Sequence, residues 1–541
     1  MPGHLNRLIS VRLLMNRLIT PLSGQHLHRT PEKEVNQQTA LRAVFLWEKC
    51  MSGLHGVETI ELTTGTVAVQ TISTAVIGLV GTAPYASGGV CASGTAGSWL
   101  LGTALDFTAK QEGRVGNKIS VVAVAATEQN AQTAASLKGT TLTITLGTDE
   151  HSQINATADR VTEVVNALGD SPVTAAVSTL NAGGAENKVV SPFSLTLSGG
   201  EDEAFPVNTP VVVAGAITQA GKLGTAGTLY PALRDIFDQT GALVIVVRAE
   251  SKTKAKEGEQ RAAVIQAMEA LTESKGVTGY QPRILIATGY SEDDGVAKAL
   301  ETYAAKLRAV AYIDSPSMST SQDVVQRRAS FGGRVELLRP RVSVTDDSGQ
   351  TVFRPYSARA AGLRARIDYE KGWWWSKSNQ DVMNITGLEQ VDTFILGEQN
   401  CTANLLNMEN ISTIIRHDGF KHWGNRLCSS HSQWRFESVR RTADVIEDSI
   451  QEAMLPYVDR PLDRDVADDI LGSINAYMRQ LKNLGAIHGG SAWLNDELNT
   501  AETLAAGQLY IDYDFGPKSP LERLTLRAMI NNKLALEELT V

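Results

Sequence analysis

Several chemistries are missing from these 541 residues. No apolar run approaches the roughly 20 residues that a membrane-spanning helix needs. The longest candidates, residues 76–80 and 243–247, are strand length, so no membrane insertion is expected. The four cysteines, Cys50, Cys91, Cys401 and Cys428, lie far apart. They have none of the close spacing of a zinc site or a redox pair and read as reduced thiols of a cytosolic chain. No secretory signal is evident, so the sequons at Asn155 and Asn384 read as chance. An excess of basic residues is missing too. The formal charge is −9, and residues 1–50 hold seven basic against three acidic groups, which leaves the remainder at −13. Binding to phosphates needs clustered Lys and Arg, so no direct nucleic-acid partner is expected.

Catalytic signatures are equally scarce. The segment from Gly215 to Lys222 follows a strand-like run as a phosphate loop would, but five residues separate Gly215 from Gly221 where four belong. Leu223 also stands where a hydroxyl should meet Mg²⁺. His417, Asp418 and His422 make the densest metal-like cluster, yet a spacing of five does not put both rings on one helix face. Ser376, Ser378 and Ser429 lack the glycines of a nucleophile elbow, and no Gly-x-Gly-x-x-Gly element occurs. The carboxylates 292–294 and 463–469 sit at expected helix starts, where they complement the helix dipole. No catalytic, cofactor-binding or metal-binding residue is assigned. The alternative kept open is an α/β enzyme or nucleotide-binding protein with a degenerate phosphate loop.

What is present is texture that changes along the chain. Residues 73–80 read as a buried strand. From Gly81 to about Gly200 the sequence is rich in Gly, Ala, Ser and Thr, with strand-like runs at 118–125, 140–146 and 194–197 and one helix over 155–168. This suggests a small β-rich domain inserted into its host. From Phe205, apolar runs at 210–214, 243–247, 283–287, 309–313 and 334–338 alternate with helical patterns at 229–237, 258–271, 295–307 and 321–329. Such alternation predicts a largely parallel sheet covered on both faces. After Gly387 come helices over 439–455 and 464–484 and a half-buried strand over 509–515, which makes an α+β region. The expected class is multidomain, α/β and α+β.

One motif organises the rest. Ser357-Ala-Arg-Ala-Ala-Gly-Leu-Arg-Ala-Arg-Ile-Asp-Tyr-Glu-Lys-Gly372 reads as a helix stopped by glycine, followed by Trp373, Trp374 and Trp375, which are expected to plug a junction between domains. Some fifty residues on stands Asp418-Gly-Phe-Lys-His-Trp-Gly-Asn-Arg426. With Asn384-Ile-Thr-Gly387, Leu405-Leu-Asn407, Phe436-Glu-Ser-Val-Arg-Arg-Thr442 and Gly507-Gln-Leu-Tyr-Ile-Asp-Tyr-Asp514, the colinear set resembles contractile tail sheath proteins of temperate, myovirus-type phages. The likeness covers residues 51–81 and 205–541.

The resemblance implies a structural subunit, not an enzyme, that polymerises as stacked hexameric rings around a tail tube. Contraction would then drive the tube through a host envelope during genome ejection. Implied partners are copies of itself, the tail tube protein, and baseplate and tail terminator proteins. The implied location is the virion tail, after assembly in the host cytoplasm. Residues 51–58 look like a natural sheath start, so residues 1–50 are expected to be a disordered leader or a start-site artefact, although their Arg-containing amphipathic fragments would also suit a transit peptide. The expected map is an N-terminal arm at 51–66, a sheath domain at 67–82 plus 206–386, the inserted domain at 83–205, a C-terminal core domain at 387–520 and a C-terminal arm at 521–541. Val57, Ile60, Leu62, Leu524, Leu526 and Ala528 are assigned to arm strands that add to sheets of neighbouring subunits. Arg359, Arg364, Arg366, Lys371, Arg440 and Arg441 are the candidates for electrostatic contact with the tube.

Overall fold

The computed structural model describes residues 68–181, 188–252 and 257–539. The expected leader and the N-terminal arm with Val57, Ile60 and Leu62 lie outside the described residues. At the centre is a sheet of nine strands in the order Gln380–Asp381, Phe420–Trp423, Ile411–Arg416, Val335–Leu338, Val310–Asp314, Ile284–Ile286, Val76–Thr82, Leu243–Ala249 and Pro210–Ala214. The six from Ile411–Arg416 to Leu243–Ala249 run parallel, and Val76 pairs with Leu243 through to Thr82 with Ala249. Antiparallel strands close both edges.

Both faces are covered, which explains why these strands are continuous apolar runs. Val244 and Val246 point to one core, which the helices Leu229–Phe237 and Ser357–Glu370 fill with Leu229, Leu233, Ile236, Leu363 and Ile367. Val247 and Ala249 point to the other, against Val264, Met268 and Leu271 of Glu257–Thr278 and Leu300 of Asp294–Lys306. Gly362 permits the first arrangement: a Cβ there would lie 2.6 Å from the Ile236 carbonyl oxygen, so any larger residue would push the two helices apart.

The stretch rich in small residues forms two sheets of its own. Cys91–Ala96, Leu105–Glu112 and Val173–Val177 make one, and Ala134–Lys138, Thr141–Leu146, Ser120–Ala125 and Phe193–Thr196 make the other. The helix Ala158–Ala167, capped by Thr157, packs Val161 and Val165 between them. Every member of this core falls within residues 92–197. The body therefore buries its apolar surface without help from its host.

A further core joins Trp373 to the helices Glu437–Met454 and Arg464–Leu484 through Ile446, Ile450, Ile474, Tyr477 and Leu481. Gly372 turns the chain into it at φ 105°. There a Cβ would meet the Trp374 ring at 2.4 Å. Trp373 and Trp374 meet edge to face at 4.7 Å, whereas Trp375 remains about half exposed.

Three features differ from the sequence reading. The expected boundary at 386/387 cuts the central sheet, because buried Ile411, Ile414 and Ile415 find their place beside Val335–Leu338. Strand Ile487–Leu494, partner of Ile511–Pro517, has no clear alternation because His488, Gly489, Gly490 and Ser491 interrupt it. The tail ends in an unforeseen helix, Lys533–Leu539. Cys91, Cys401 and Cys428 are free thiols. No helix among the described residues is long and apolar enough to cross a membrane.

Candidate assembly surface and the charged junction beneath it

The Ser357–Glu370 helix is buried from Ser357 to Ile367, arginines included. A buried guanidinium is costly unless it finds carboxylate or hydrogen-bond partners, and each of these has at least one. Arg359 donates to Asp235 at 2.9 Å, Asp238 at 2.7 Å and the Met383 carbonyl at 2.8 Å. Arg364 donates to Asp368 at 2.8 Å and to the Trp375 carbonyl at 2.7 Å. Arg366 donates to the Asp381 carbonyl. Arg441, on Glu437–Met454, grips both oxygens of Asp368 and reaches the Thr74 carbonyl. Burial alone would lower the Arg441 pKa, but the Asp368 carboxylate raises it instead.

These positions correct the expected tube contacts. Arg359, Arg364, Arg366 and Arg441 lie inside the subunit, where their charge serves folding and reaches no surface. Lys371 and Arg440 are only half-buried. Lys371 donates to Gln380 at 2.7 Å above the Trp375 ring, and Arg440 to Asp444 at 2.9 Å above Trp434.

Deeper still, Lys377 joins the central sheet to the C-terminal helices. Its ammonium contacts Glu336, Glu437 at 2.6 Å and the Tyr312 hydroxyl at 2.9 Å, and all four side chains are fully buried. Ser412 donates to Glu336 at 2.6 Å, Tyr312 donates to Glu437, and Tyr356 meets His422 Nδ1 at 2.8 Å. Burial would raise the Glu336 carboxyl, but the Lys377 charge and the contacts from His422 and Lys377 together outweigh it and hold it at about 2. Glu437 is lowered in the same way. Burial lowers the His422 pKa, so the ring is neutral near pH 7. With Arg364, Asp368 and Arg441 the group contains three cations and three carboxylates, a balanced set that ties elements far apart in sequence.

The sequence reading missed Glu336, Lys377 and Glu437. The available signal was a lone acid inside an apolar strand, Val335-Glu-Leu-Leu338, which calls for a buried partner.

His417, Asp418 and His422, the metal-like group set aside on its spacing, are not brought together. His417 and Asp418 form an exposed hairpin turn, while His422 is in the core. Among the described residues no group of His, Cys, Asp and Glu is arranged to hold a metal. Gly215 to Lys222 is no phosphate cradle either: it leads into the short turn Ile217–Leu223, and Lys222 faces the Glu201 carboxylate at 3.3 Å on the surface.

The surface near the C-terminus is different in kind. Among the described residues, Ile487–Leu494 and Ile511–Pro517 form a two-stranded sheet, pairing Leu494 with Ile511, Ala492 with Tyr513 and Gly490 with Phe515. The Asn475 side chain binds both backbone groups of Ala492, at 2.9 and 3.1 Å, as a neighbouring strand would. Beyond Pro517, residues 518–531 form no regular secondary structure and pair with no strand among the described residues. Leu521, Leu524, Leu526, Ala528, Met529 and Ile530 are all exposed, with Ile530 at 93%. One ion pair holds the root of this segment: Arg426 Nε and Nη2 each lie 2.6 Å from a Glu522 oxygen.

Comparison with known proteins bears on this arrangement. Residues 261–426 match the phage tail sheath protein central domain, and residues 429–531 the phage tail sheath C-terminal domain. The tail sheath protein of Escherichia phage P2 is 38% identical over 353 residues, which cover 62% of this chain and 89% of that protein. The tail sheath protein of Burkholderia phage BcepMu is 32% identical over 513 residues, covering 89% of this chain and 98% of its own length. Among solved structures, the anti-feeding prophage baseplate in its contracted state shares the fold over 61% of this chain and 90% of its own, with a TM-score of 0.51 at 19% identity. The chain belongs to the phage tail sheath family, and it is a structural protein, not an enzyme.

Proposed function

We propose that this chain is the repeating subunit of a contractile sheath. Copies stack as hexameric rings around a tail tube and contract to drive that tube through the host envelope during genome ejection. The subunit works in the virion tail after assembly in the host cytoplasm, with baseplate and tail terminator proteins at the two ends.

The observation that carries this reading is the exposed segment 521–530, free of regular secondary structure, which continues from a two-stranded sheet. A lone two-stranded sheet is marginal in water, and its free edges accept further strands. Large apolar side chains contribute about 1.5–3 kcal/mol each when fully buried on a partner. Five lie on this segment, enough to offset much of the association cost, which runs from about 4 to 15 kcal/mol. Residues 51–66 are proposed as the second arm. Lys371 and Arg440 are the two cations proposed to meet the tube. Residues 83–205 form the peripheral domain of the proposed map. The work of contraction comes from a packing more stable than the extended one, released over a kinetic barrier, so no nucleotide is required.

Negative-stain microscopy of the purified full-length chain tests the proposal. Striated hollow cylinders are the expected product, and a monodisperse monomer under all assembly conditions would contradict it.

A further inference from the structure

We propose that the Arg426–Glu522 ion pair is a clasp that fixes where the C-terminal arm leaves the subunit, which makes Arg426 a positioning residue for assembly. This rests on the arm reading above and adds to it the device that aims the arm.

Arg426 is held from both sides. It follows the strand Phe420–Trp423, second from the edge of the central sheet, and its backbone bridges to Phe436, just ahead of the Glu437–Met454 helix. Its guanidinium is fully used: Nε and Nη2 donate to the two oxygens of Glu522 at 2.6 Å each, and Nη1 donates to the Asn407 carbonyl at 3.1 Å. The Arg426 side chain is 18% exposed and Glu522 38%. A two-pronged pair of this kind fixes direction as well as distance, which a lysine at the same place would not.

The position along the chain gives the pair its meaning. Only four residues, one of them Pro520, separate Pro517, the last residue of the hairpin sheet, from Glu522. The arm is thus pinned at two points, first to the hairpin sheet and then to the body of the central sheet. Beyond Glu522, residues 523–530 are all exposed. A pull on the arm from a neighbouring copy therefore reaches the nine-stranded sheet directly, not only the two-stranded one. Glu522 is also the only acid between Asp514 and Glu537, amid Lys518, Arg523, Arg527 and Lys533, so residues 521–536 of the arm hold no other carboxylate to replace it. Fixing the root in advance removes conformational freedom that strand addition would otherwise have to freeze.

The test measures the critical concentration for polymer formation, by pelleting, for full-length R426E, E522R, the exchanged double variant, E522Q and a chain ending at Pro520. E522Q alters a partly exposed arm residue and leaves the core intact, so it reports on the clasp even if R426E fails to fold. Each single variant is expected to raise the critical concentration about five-fold, and the double variant to return to within about two-fold of the parent. The clasp is overturned if E522Q and E522R assemble like the parent while the chain ending at Pro520 does not, an outcome that leaves the arm reading standing. Normal assembly of the chain ending at Pro520 would remove the arm reading and the clasp together.

Discussion

Lys377 sits between two carboxylates in a region closed to water, so its charge cannot be removed alone without cost. Replacing it with methionine leaves Glu336 and Glu437 buried and facing each other. Breaking a buried pair in this way costs about 3–5 kcal/mol. Urea unfolding of K377M should show a loss of that size, and a loss below about 1 kcal/mol would mean that the network is not what joins the sheet to the C-terminal helices. The same residues set the response to pH. Glu336, Glu437 and Asp368 are held below their ordinary values, so their contribution is present above the unfolded pKa and is lost as pH falls through the folded one. Asp314 behaves oppositely. Burial pushes it up to about 6 although Ser357 donates to it through both its backbone N–H and its hydroxyl. Its contribution is complete below about pH 4 and is lost as pH rises through about 6, an effect of up to about 3 kcal/mol. Chemical denaturation from pH 4 to 7 should show the stability of the parent falling relative to that of D314N as pH rises, the difference between the two removing the contribution of His422 and the other titrating groups; parallel curves would contradict this assignment. At this scale the sequence was least legible. Arg359 read as surface charge because its partner Asp235 lies 124 residues away, and spacing along one helix does not show it.

Elements were read more reliably where burial was complete. The continuous apolar runs at 243–247 and 309–313 became the parallel strands Leu243–Ala249 and Val310–Asp314, because a strand covered on both faces has no polar side to show. The helix expected over 155–168 appears as Ala158–Ala167, since Val161 and Val165 fall on one stripe. Elements stabilised by a neighbour rather than by their own pattern were missed. Ile487–Leu494 is held in part by Asn475 from the adjacent helix, and Lys533–Leu539 is too short to announce itself. The inserted body gives a prediction at this scale. Because its core draws only on residues 92–197, whereas Ala83 and Phe205 belong to the core of the central sheet, replacing residues 88–202 with a short linker should leave a folded subunit that still polymerises. Circular dichroism and microscopy of the shortened chain check this, and an unfolded product would place the boundary elsewhere.

At the scale of the whole molecule, the subunit combines a rigid interior with an unsatisfied rim. Three cations and three carboxylates lock the central sheet to the C-terminal helices, so force applied at the hairpin sheet or at Arg426 has a stiff path inward. The rim carries an exposed apolar segment that pairs with no strand among the described residues. The sequence disclosed this division through its half-polar C-terminal pattern. The junction it did not disclose, because the charges that build it are scattered from Glu336 to Arg441. The central claim is that neighbouring copies are joined by donated strands. Its most direct measurement is side-by-side negative-stain microscopy and sedimentation of the full chain and of the chain ending at Pro520. The account predicts hollow striated cylinders from the first and folded, soluble monomers with an unchanged circular dichroism spectrum from the second; cylinders of normal appearance from the shortened chain would contradict it.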